Sequence, residues 1–153
     1  METNHNTQEF PINLRFDVPP VFTINVTTPS GGVNFTHVLP NSPPQDKEVV
    51  VTVQSNLHKP YQVLQELQTA MTNPQGKEID SKHLTLQVQI PQDQHGQTDF
   101  VEFSPMQTGE YPVFSSDAAG SGATFKVEYR LQGYAQMSPG NFLAPIRLSL
   151  NQK

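Results

Sequence analysis

The sequence predicts an all-β sandwich, on three observations. Apolar and polar residues alternate in short runs along most of its length. Turn-forming clusters separate the runs: TPSGG, LPNSPPQDK, NPQGK, PQDQHG and SDAAGSG. Composition agrees, with 14 prolines and only 15% charged residues, against about a quarter in an average globular chain. Short strands between frequent turns argue for two packed sheets, not alternating strands and helices. At 153 residues the chain is long enough for one domain with a core of its own.

Residues 1–9 are polar, without pattern, and read as a flexible tail. The first run follows at 10–18, where Phe10, Ile12, Leu14, Phe16 and Val18 alternate with Pro11, Asn13, Arg15 and Asp17. Pro19-Pro20 ends it, and the beat resumes at Phe22, Ile24 and Val26. A two-residue hairpin cannot join these runs, because such turns need positive φ and proline holds φ near −65°. Two arrangements satisfy the pattern. Either 10–18 leaves its own domain through a stiff, extended joint, or both runs form one edge strand bent at the prolines.

Further strands are expected at 22–28, 33–38, 48–55, 61–66, 84–90, 100–103, 111–115, 124–131 and 141–150. The stretch 61–72 fits a strand or a short helix, since Val63, Leu64, Leu67 and Met71 also have helical spacing. In the last run, NFLAPIRLSL, residues Phe142, Ala144, Ile146, Leu148 and Leu150 share one face. A ribbon so apolar calls for a neighbouring strand, and the sequence places none after it.

Several chemistries find no support. The formal charge is −5 with the nine basic residues scattered, which disfavours nucleic acid as a partner. No apolar run approaches the ~18 residues of a membrane span. Without cysteine there are no disulfides, thiolates or Cys-zinc sites. His5, His37, His58, His83 and His95 show no metal-ligand spacing. The stretch DAAGSGAT, 117–124, lacks the Gly-Lys-Ser/Thr ending of a phosphate loop and reads as a flexible hairpin loop. Acidic pairs such as Glu78/Asp80 and Asp99/Glu102 read as solvated loop charges, and no nucleophile elbow is present. No enzyme, cofactor or metal site is expected.

Three stretches carry a resemblance. GGVNFTHVLPNSPPQDKEVVVTVQSNLHKPYQV (31–63) and YRLQGYAQMSPGNFLAPIRLSL near the C-terminus resemble the front half and terminal strand of chaperone–usher pilus subunits. The block EFPINLRFDVPPVFTINV is similar in layout to the cysteine-free, colonisation-factor type of major fimbrial subunit.

The resemblance implies an immunoglobulin-like sandwich (21–153) lacking its last strand, preceded by an N-terminal extension (1–20). The extension of one subunit would complete the groove of the next. It implies a donor strand bearing Phe10, Ile12, Leu14, Phe16 and Val18, and an acceptor groove bearing Phe35, Val51, Phe142, Ile146, Leu148 and Leu150. The implied partners are identical subunits in a head-to-tail homopolymer, with a periplasmic chaperone and an outer-membrane usher during assembly. The implied location is a fimbria on the bacterial cell surface, serving adhesion. METNHNTQEF is not an export leader, so export would need one outside this chain. The competing expectation is a self-contained, monomeric β-sandwich that binds a ligand such as carbohydrate.

Overall fold

The alternating runs fold into eight strands and one 3₁₀ turn in a computed structural model that describes residues 8–30 and 32–153. The strands are β1 (Phe22–Thr27), β2 (Gln45–Ser55), β3 (Tyr61–Leu67), β4 (Leu84–Gln89), β5 (Ser104–Pro105), β6 (Gly109–Ser115), β7 (Ala123–Leu131) and β8 (Ile146–Gln152). Five make one sheet in the order β1-β2-β7-β4-β5, and three make the other in the order β6-β3-β8. All the paired strands are antiparallel. The result is an all-β sandwich of immunoglobulin-like architecture. The part of the expected tail at 1–7 lies outside the described residues.

Alternation accounts for the core. In β3 every odd residue from Tyr61 to Leu67 is buried, and β7 repeats the pattern from Ala123 to Leu131. The inner faces meet in stacked rings, with Phe114 of β6 on Phe125 of β7 at 4.4 Å between centroids. A period of two decides against helix at 61–67, because a helix would scatter these side chains around its axis.

One polar group sits in this core. Gln65 is fully buried, its amide donates to the Tyr111 hydroxyl at 2.8 Å, and its carbonyl accepts from the Tyr129 hydroxyl at 2.7 Å. Burial pushes both phenols above their ordinary pKa, so they stay neutral and hydrogen-bonded.

Several expected elements are corrected. Residues 33–38 form no strand, and His37 takes a φ of +54°, which breaks extended geometry. Residues 100–103 give way to the two-residue β5. The last strand begins at Ile146, because Pro145 has no N–H for a ladder.

The 117–124 segment is not a hairpin loop. It carries the chain from β6 in one sheet to β7 in the other. It is also pinned. Asp117 accepts from the Ser121 amide (2.8 Å) and hydroxyl (2.9 Å), and the Tyr61 hydroxyl donates to the Ser121 carbonyl (2.7 Å). Those Ser121 bonds hold the Asp117 carboxyl below the usual range.

Candidate functional site

The two sheets do not meet along one side. There β1 is the edge of one sheet and β8 the edge of the other, and among the described residues neither has a ladder partner beyond β2 and β3 respectively. The two strands run in opposite directions. At one pole Phe22, which opens β1, meets Tyr61 edge to face at 5.7 Å, and Tyr61 pairs with Gln152 near the end of β8. That pole is closed.

Towards the other pole the edges bound an apolar cleft of about 380 Å³. An apolar cavity of about 150 Å³ already holds a benzene ring, so this one has room for several side chains. Val26 and Thr28 form one lip, and Ala144, Ile146 and Leu148 the other. Val49, Leu84, Met106 and Tyr129 make the floor, while Val33, Phe35 and Met71 close the roof from connecting loops. Tyr129 offers only its ring here, since its hydroxyl is spent on Gln65. A second depression of about 570 Å³ lies behind the shared residues Met71, Leu84 and Met106, with Glu78 and Asp80 in its wall.

Of the groove residues named from the sequence, Phe35, Ile146 and Leu148 line this cleft. Val51 does not: it is fully buried in the core, one turn of the pleat deeper than Val49. Phe142 and Leu150 are half-buried beside the core and outside the lining. Sequence reasoning missed Met71, Met106 and the floor. They come from loops and inner faces whose apolar residues look like any other core residue.

The second component is the N-terminal segment. Residues 10–18 join no β-ladder, and Phe10, Ile12, Leu14, Phe16 and Val18 are 69–88% exposed. Five large apolar side chains bared on one segment call for an explanation, whereas single ones do not. Its root is held at the closed pole by Asn56. The Asn56 side chain accepts from the Val21 amide at 2.7 Å and donates to the Pro19 carbonyl at 2.9 Å, and its backbone N–H donates to the Val21 carbonyl at 3.0 Å. The segment therefore leaves the domain at the pole opposite the cleft's wide end.

Little else gathers chemistry. His83 stacks on Tyr134 at 4.0 Å, and His37 and His58 occupy turns of positive φ; His5 lies outside the described residues. Among the described residues no three His, Asp or Glu side chains are placed to hold a metal ion, and no helix is long and apolar enough to cross a membrane. No protein-family model and no curated protein sequence matches the chain.

Proposed function

We propose that this protein is a structural subunit of a bacterial surface fibre, which polymerises head to tail by donating its N-terminal strand. One observation carries the reading: an alternating apolar segment exposed at one pole, and an apolar cleft between two unpaired strand edges towards the other. An open edge with bare N–H and C=O groups beside an apolar cleft is a template for another strand. A strand inserted there pairs those groups and fills the cleft with every second side chain.

The gross apolar gain is large. Four or five plugs at about 1.5–3 kcal/mol each give roughly 6–15 kcal/mol gross, comparable with the stability of a whole domain. Association and ordering costs of about 4–15 kcal/mol oppose this, and the ladder hydrogen bonds of the inserted strand add to the gain. Self-insertion is opposed by geometry, since the segment would have to reverse at Pro19-Pro20, where Asn56 holds the root. Donor and acceptor sites on opposite poles make a heterologous contact, which yields an open filament.

The resemblance to chaperone–usher subunits adds the setting: assembly through a periplasmic chaperone and outer-membrane usher, and a role in adhesion at the cell surface. The test is deletion of residues 1–18. The expected result is a folded or chaperone-bound monomer and no filaments by electron microscopy. Filaments of ordinary length from the deleted chain would overturn the proposal.

A further inference from the structure

Resting on that filament reading, we infer that the donated strand docks antiparallel to β8 in a single register. Residues Ile12 to Val18 lie opposite Gln152 to Ile146 of the neighbouring subunit, and Asp17 faces Arg147. Three features of the chain select this register, and they are independent of one another.

The first is the pleat. In the extension Leu14, Phe16 and Val18 share a face, and on β8 the cleft side carries Ile146 and Leu148, with Leu150 half-buried on the same face. A slip of one residue would turn the whole apolar set out to solvent. Only shifts of two remain.

The second is the position of the prolines. The segment between Pro11 and Pro19 is Ile12–Val18, and β8 is Ile146–Gln152, seven residues beginning directly after Pro145. In the proposed register Pro19 stands opposite Pro145. Both strands then lose their N–H at the same rung, and every rung inside it can form. A shift of two in one direction pushes Pro19 into the ladder opposite Arg147, where its missing N–H breaks a rung. A shift in the other sets Asp17 against Pro145 and hangs Val18 over Ala144, where β8 has not begun.

The third is charge. The outward positions Asn13, Arg15 and Asp17 would face Asn151, Ser149 and Arg147, giving one opposite-charge pair and no like-charge pair. Shifting by two one way sets Arg15 against Arg147, which is repulsive. Parallel docking with the prolines aligned sets Asn13 against Arg147 and loses the pair. In the single subunit Arg147 makes a loose contact with Glu66, 3.7 Å away and opposite it on β3. Asp17 would complete a row of alternating charge across β3, β8 and the donor strand. The polarity also suits a straight fibre, because the donor then runs parallel to the neighbour's β1, the direction in which it enters its own domain.

The chain has no cysteine, so disulfide mapping reads the register directly. Opposed residues have Cα atoms about 5 Å apart, within disulfide reach, and residues two positions off are about 8 Å apart, beyond the ~7 Å limit. The variant D17C/R147C should give a covalent ladder of subunits that a reductant collapses, and R15C/R147C should not. A ladder from R15C/R147C, or from N13C/R147C, in place of D17C/R147C would overturn the register while leaving the fibre intact. Loss of the fibre reading itself would show differently, as an unmodified chain that never polymerises. The ion pair has its own measurement. D17R should weaken assembly about 2- to 5-fold at low salt, and D17R/R147D should restore it. Additive losses in the double variant would overturn the pairing.

Discussion

Phe16 offers the sharpest division between what a residue does for its own domain and what it does for a neighbour. In the single chain its side chain is 84% exposed and belongs to no ladder. Phe16→Ala should therefore leave the monomer's unfolding midpoint within about 0.5 kcal/mol of the parent, as exposed substitutions do. In the fibre the same ring would be opposite Leu148, over the cleft of about 380 Å³, and fully desolvated. Truncating a buried phenylalanine costs about 3–5 kcal/mol when the cavity persists. The cleft's flexible wall (Met71 and Met106) should collapse in part, so about 2–4 kcal/mol is expected. That corresponds to roughly 30- to 1000-fold weaker subunit contact. The assay is urea-induced dissociation of filaments by size-exclusion chromatography, beside unfolding of the monomer by circular dichroism. Asn13→Ala, pointing outward, is the control and should shift dissociation by less than about 3-fold. Equal dissociation of the Phe16 and Asn13 variants would refute the reasoning. So would a lowered monomer midpoint for Phe16→Ala, which would mean that the ring packs on its own body.

Two further outcomes follow from single contacts. The Asp46 carboxylate accepts both Arg130 nitrogens, Nε at 2.7 Å and Nη2 at 2.9 Å, and these bonds hold its carboxyl below the usual range. A depressed pKa stabilises the fold above the unfolded value of about 4 and loses that contribution as pH falls through the folded value. Asp46→Asn should cost up to about 1 kcal/mol at neutral pH, the partly exposed pair being screened, and should flatten the decline of the urea midpoint below about pH 4. Asn56→Ala removes two side-chain bonds from the root of the extension. It should cost about 1–2 kcal/mol and speed hydrogen exchange at the Val21 amide, read by mass spectrometry.

Where the sequence was legible, the reason is periodicity. In 45–55, 61–67, 84–89 and 123–131 one face is buried, and burial of one face of a strand writes a period of two into the sequence. Where it misled, a local feature overrode the pattern. Val33 and Phe35 alternate like a strand, yet His37 at φ +54° and Asn41 at φ +65° turn the chain, and the segment serves as a cleft wall without a ladder. Val51 carries the same alternation as Val49. Only the stacking of the sheets puts Val49 on the cleft floor and Val51 in the sealed core.

By itself the sequence determined that the chain is a β-sandwich and that 10–18 alternates like a strand, with two prolines barring a tight hairpin into the next run. Both properties are local, recorded in side-chain alternation and in the φ that proline imposes. Only the tertiary structure decided that β1 and β8 are left as facing edges, that loop methionines and core residues shape the space between them, and that Asn56 aims the extension away from it. Those relations join residues far apart in the chain, and no local pattern encodes which edges end up side by side.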